Sequence, residues 1–119
     1  MSDYKFEMPW PPTVNHWHQP CRNRIIKGAK AREYESKAVA HLKALKLSGE
    51  ALVSKLRVRL TLHPPTLARY DIDNRTKGVF DSLSSANFWV DDEQVCELSI
   101  SKAEKIKGGI VVVEVWICD

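Results

Sequence analysis

Alternation of apolar and polar side chains is sharpest just past the middle of the chain. Leu56, Val58, Leu60 and Leu62 fall on one side, and Lys55, Arg57, Arg59 and Thr61 on the other. That two-residue period predicts a strand with one buried face. Pro64 and Pro65 close it, because proline has no N–H to give to a sheet ladder. Near the N-terminus Tyr4, Phe6 and Met8 alternate with Lys5 and Glu7 until Pro9, Pro11 and Pro12, which predicts a second, shorter strand. Val95 to about Lys102 predicts another, with Cys96, Leu98 and Ile100 alternating against Glu97, Ser99 and Ser101. Beyond a turn at Gly108-Gly109, Ile110 to Ile117 is apolar on nearly both faces. Such a strand is central in its sheet or covered by a partner.

Two segments carry the helical period instead. From about Ala29 to Lys46, the residues Tyr34, Ala38, His41, Leu42 and Leu45 recur at three- and four-residue spacing, and Ser48-Gly49 stop the run. Glu33 and Lys37 stand one turn apart, a favourable order for an ion pair. From Asp73 to Ala86, the residues Ile72, Thr76, Val79, Leu83 and Ala86 fall within a narrow arc, with Asp73, Lys77 and Asp81 away from it. Thr13 to about Lys27 has neither period and reads as a long polar loop. The order β-α-β-α-β-β predicts an α+β domain with helices packed on a small mixed sheet.

Composition adds bounds. A chain of 119 residues is expected to form a single domain, 1–119, with a core of its own. No stretch approaches the roughly 20 apolar residues that span a membrane, and no apolar run behind a basic start suggests a signal peptide. Three widely separated cysteines, Cys21, Cys96 and Cys118, argue against a disulfide framework and for a reducing compartment. The formal charge of +3 is too mild to announce a nucleic-acid binder by itself.

Position says more than totals. Asp71 and Asp73 lie where a proline-broken strand passes into a helix, and residues two apart in extended backbone project to one side. Both could reach one hard cation such as magnesium, which takes one or two carboxylates plus waters and phosphate. Asp91-Asp92 follows the second helix after a short loop, so the chain is expected to return near the same end of the sheet and add a third acid. Lys77, one turn after Asp73, would place an ammonium beside the metal. Helix capping by an aspartate and a turn at Asp91-Asp92 explain the same residues without a metal. The residues alone leave both readings open. Arg22, Arg24, Lys27, Lys30 and Arg32 form the densest basic stretch, expected to contact phosphates. His16, His18 and Cys21 are a weak zinc signal without a fourth ligand. Trp10 reads as a packing plug or a base-stacking surface, and Trp89 as the anchor of the loop bearing Asp91-Asp92.

Taken together, Asp71-Ile72-Asp73-Asn74 with Lys77, Phe80-Asp81-Ser82-Leu83, and Phe88-Trp89-Val90-Asp91-Asp92-Glu93-Gln94-Val95 resemble the RusA family of Holliday junction resolvases. Met8-Pro9-Trp10-Pro11-Pro12 with Asn15, and the Gly-Gly turn, extend the similarity over almost the full chain. The resemblance implies a homodimeric, magnesium-dependent endonuclease that binds four-way DNA junctions and nicks opposing strands symmetrically, in a bacterial or phage-encoded cytoplasmic setting. It implies that Asp71, Asp73 and Asp92 are the essential metal-binding acids, with Asp91 as a further candidate ligand, and that Lys77 is the catalytic lysine. Asn74 and Asp81 match motif positions too. Members of the family can carry a dense basic run before the aspartate pair, whereas Thr66-Leu67-Ala68-Arg69-Tyr70 offers only Arg69 for DNA contact. The alternatives are a branched-DNA-binding protein that does not cut, and a nucleotide phosphohydrolase.

Overall fold

The computed structural model describes residues 1–13, 18–21 and 24–118, and for 18–21 and 24–26 the backbone alone. Along the chain run β1 (Tyr4–Pro9), β2 (His18–Cys21), β3 (Arg24–Lys27), α1 (Ala29–Ala44), β4 (Lys55–His63), α2 (Thr76–Ser85), β5 (Val95–Lys102) and β6 (Ile110–Cys118). Four strands make the main sheet in the order β1-β6-β4-β5. β6 lies antiparallel to both β1 and β4, while β5 lies parallel to β4. The sheet is therefore mixed, and its helices pack on one face, as the pattern predicts.

Strand alternation decides which face. Leu56, Val58, Leu60 and Leu62 of β4, Val111, Val113 and Val115 of β6, and Phe6 and Met8 of β1 are buried in one cluster. α1 contributes Ala31, Tyr34, Ala38 and Leu42 to it, and α2 contributes Val79, Phe80 and Leu83. The apolar character of β6 comes from its central place. On the outer face Val112, Glu114 and Trp116 are half-buried, and the guanidinium carbons of Arg57 and Arg59 sit 4.7 and 5.4 Å from the Trp116 ring centroid. These cations cover the indole while their charges stay wet.

Several expectations change. The segment read as a long loop contains an antiparallel ribbon, β2 with β3, in register from His18 opposite Lys27 to Cys21 opposite Arg24. α1 ends at Ala44, before Lys46, which takes a left-handed φ of 61°. The Leu47 N–H then returns to the Leu42 carbonyl at 2.9 Å, a bond that satisfies a terminal carbonyl of the helix. Leu45, placed in the apolar stripe by its spacing, is 44% exposed as a result. Glu33 and Lys37 do not form an ion pair among the described residues. α2 begins at Thr76 rather than Asp73, leaving Ile72 outside the helix and 42% exposed.

One change bears on the site. Because β4 and β5 are parallel, Val95 enters the sheet opposite Leu56 and Lys102 leaves it opposite Leu62. The Asp71–Asp73 loop follows the His63 end of β4, whereas Asp91-Asp92 precedes β5 at the Leu56 end. The chain thus returns to the opposite end of β4, not the same one, since parallel pairing demands a crossover. α2 is that crossover, and it carries Lys77 and Asp81.

Candidate functional site

The aspartate loop is held by its neighbours rather than by its own carboxylates. The Asn74 N–H donates to the Asp71 carbonyl at 3.2 Å. Asp71 and Asp73 are exposed, and among the described residues neither side chain has a hydrogen bond or ion pair. Arg75, not an aspartate, occupies the position before α2, and no side chain caps the helix. Capping therefore leaves both carboxylates unexplained. Asp71 lines a cavity of about 500 Å³ with Ala68, Arg69, Tyr70, Asn74 and Lys102. The Lys102 ammonium donates to the Tyr70 carbonyl at 2.6 Å and lies 4.3 Å from the Tyr70 ring centroid.

Behind this loop stands an aromatic and cationic cluster that no local pattern announces. Trp10 meets Tyr70 edge to face, with ring centroids 5.7 Å apart. The Arg75 guanidinium lies 5.0 Å from the Trp10 centroid, and its Nη1 donates to the Pro11 carbonyl at 2.6 Å. Trp10 is thus a packing element, partly buried against the core. Burial raises the Tyr70 pKa, and the nearby Arg75 charge pulls it back. Through these contacts the N-terminal proline segment, more than sixty residues away in sequence, braces the aspartate loop.

In the segment that follows α2 the geometry is tighter. Trp89 is fully buried, and its indole N–H donates to the Ser84 Oγ at 2.8 Å. It therefore anchors the following loop, as expected. Asp91 caps a single 3₁₀ turn, Asp92–Gln94, in a reciprocal capping box with Gln94. The Gln94 Oε1 accepts from the N–H groups of Val90 and Asp91 at 3.0 and 2.9 Å. Its Nε2 donates to the carbonyls of Leu52 and Ser54 at 2.9 and 2.8 Å. Four bonds from one side chain fix where Asp92 sits. The Asp91-Gln94 spacing could have been read from the sequence as a capping box.

Lys77 and Asp81 face this turn from α2. The Lys77 Nζ lies 3.3 Å from the Asp81 Oδ2. Partial burial raises the Asp92 pKa, helped by its hydrogen bond with Asp91 and the charges of Asp91 and Asp81, while Lys77 opposes the rise. The same bond from Asp92, with N–H groups of the turn, holds Asp91 below the usual carboxylate range. Lys77, Asp81, Asp91 and Asp92 thus form one electrostatic group.

The expected triad is not gathered. Among the described residues no three His, Cys, Asp or Glu side chains form a set that could hold a metal ion. The donor chemistry nonetheless suits a hard cation. Two unpaired carboxylates stand just before α2, and after it a crowded carboxylate has its negative charge disfavoured by burial and by its acidic neighbours, which a divalent ion would relieve.

The basic residues divide. The Lys27 ammonium is held by both Glu35 oxygens at 2.9 and 2.8 Å, and the Arg32 Nη1 donates to the Lys27 carbonyl at 2.6 Å. Lys30 and Arg69 are exposed. Arg22, His16 and Trp17 lie outside the described residues, as do the side chains of Arg24, His18 and Cys21. Cys96 and Cys118 are free thiols.

Comparison with known proteins covers nearly the whole chain. A family model described as Endodeoxyribonuclease RusA matches residues 9–115. Proteins named crossover junction endodeoxyribonuclease RusA from Escherichia coli (strain K12), Shigella sonnei (strain Ss046) and Enterobacteria phage 82 are each 33% identical to it over 109 residues. That span is 92% of this chain and 90% of each relative.

Proposed function

The chain belongs to the RusA endodeoxyribonuclease family, and on that premise we propose a magnesium-dependent, structure-specific endonuclease. Its substrate is a Holliday junction or other branched DNA, and a homodimer nicks opposing strands symmetrically. It works as one domain, 1–119, in a bacterial or phage-infected cytoplasm. The observation that carries this reading is Lys77, four residues after the unpaired Asp73 on α2 and close enough to feel the charge of the crowded Asp92.

Asp71, Asp73 and Asp92 hold magnesium in this reading, with Asp91 as a further candidate ligand. Bound there, the ion supplies Lewis acidity toward water and the scissile phosphate. Asp81 holds the Lys77 ammonium on the exposed side of α2. From that position Lys77 balances negative charge developing on a phosphate oxygen. Arg69 and Lys30 are candidate contacts to flanking phosphates, together with Arg22, Arg24 and Lys27 of the ribbon segment. A twofold dimer presents two such centres to the two strands.

A synthetic four-way junction tests the assignment. Asp73→Asn should lower cleavage in magnesium by about a hundredfold or more, while junction binding in calcium persists. Cleavage at the wild-type rate would overturn it. A wild-type protein that binds junctions but cuts none at any magnesium concentration would be the branched-DNA binder instead.

A further inference from the structure

We propose that the cavity between α1 and the Trp10–Pro12 segment is a phosphate subsite, holding a backbone phosphate of the cut DNA strand beside the scissile one. The cavity measures about 490 Å³, with Trp10, Pro11, Lys30, Tyr34, Lys37 and Arg75 among its walls. Lys30 and Lys37 stand two helical turns apart, so α1 turns both ammonium groups to one side. Both are exposed, and among the described residues neither has an ion-pair partner. Glu33 is the one acid among the described lining residues, so three cations face the cavity against a single carboxylate.

Arg75 is the sharper indication. It is half-buried, its Nη1 is committed to the Pro11 carbonyl, and its Nε is buried with no hydrogen-bond partner. A cation removed from water without a counter-anion is unfavourable. A phosphate supplies that anion and suits the planar guanidinium fork. Placement completes the case. Asn74 lines the Asp71 cavity and the next residue, Arg75, lines this one. One short loop therefore separates the two cavities, and a strand whose scissile phosphate lies at Asp71 passes Arg75 with a neighbouring phosphate.

The identity of the strand rests on the nuclease reading, but phosphate binding does not require cleavage. The test is fluorescence anisotropy of a labelled four-way junction without divalent metal, across a salt series. Wild type is compared with Lys30→Gln/Lys37→Gln and with Lys5→Gln/Lys105→Gln, which removes the same charge elsewhere on the exposed surface. The cavity pair should shrink the slope of log affinity against log salt by about 1 and weaken binding several-fold, with the Lys5/Lys105 pair leaving the slope unaltered. An unchanged slope in the cavity pair, or an equal change in both pairs, overturns the proposal. If wild type cuts no DNA but the slope still shrinks, the nuclease reading fails and the subsite stands. If wild type cuts junctions and the slope does not move, the subsite alone fails.

Discussion

Tyr34 sits under α1 with its hydroxyl donating to the Pro9 carbonyl at 2.8 Å, tying the helix to the end of β1. Burial raises its pKa far above the ordinary phenol value of 10.0. Above about pH 10 the unfolded chain gives up this proton while the folded chain keeps it. Stability should therefore be complete below that pH and fall as pH rises beyond it. Tyr34→Phe should flatten the fall, at a cost of about 1 kcal/mol at neutral pH for the lost hydrogen bond. Urea unfolding at pH 8 and in the alkaline range reads both effects, and an undiminished alkaline slope in the variant would rule the explanation out. Some slope should remain, because the Tyr70 phenol is raised as well. At this scale the sequence was a partial guide. Spacing alone put Tyr34 on the buried face, Lys77 one turn before Asp81 and Trp89 ahead of the acidic turn. It gave no sign of Arg75, whose partners Trp10 and Pro11 lie at the far end of the chain and whose role depends on tertiary approach.

Elements were legible where one face is dry and the other wet. β4 follows its predicted limits closely because burial on a sheet has a period of two, and β5 and β6 keep theirs as well, although Cys96 and Leu98 of β5 are exposed. The β2–β3 ribbon was missed because His18-Gln19-Pro20-Cys21 does not alternate and Arg22-Asn23 lacks the glycine that marks a tight hairpin. The parallel entry of β5 beside β4 is not legible in the sequence, because hydropathy does not distinguish parallel from antiparallel neighbours. The turn into β6 offers a prediction. Gly108 and Gly109 both have positive φ, 84° and 72°. A Cβ at Gly108 meets nothing within 4 Å, whereas one at Gly109 would lie 2.8 Å from the Trp10 Cβ and 2.9 Å from the Pro65 Cδ. Gly108→Ala should cost about 1 kcal/mol, from backbone strain. Gly109→Ala should cost about 1–3 kcal/mol more, from the clash. Chemical denaturation of the two variants measures the gap, and equal losses would show that Trp10 and Pro65 yield freely.

Across the whole molecule, charge is arranged along α2 more than it is summed. Acids that lie before and after α2 in the sequence make ion binding a tertiary event, available to the folded chain and not to the unfolded one. Magnesium at about ten times its dissociation constant should therefore add about 1.4 kcal/mol to unfolding. The Asp71→Asn/Asp73→Asn variant should show no such gain, and calorimetry with and without the ion compares them. A matching gain in both would place the ion elsewhere. The central strand has a different consequence, in time rather than energy. β6 pairs with β1 from Tyr4 opposite Val115 and with β4 from Lys55 opposite Cys118, yet it is synthesised after both. While a ribosome is still making residues 110–118, β1 has no neighbour and β4 lacks one of its two. The sheet closes only when its middle strand, which follows both of its partners in the chain, arrives, and closing it carries a large loop-closure cost. Until then, the nascent chain presents two apolar strand edges to whatever chaperone meets it first.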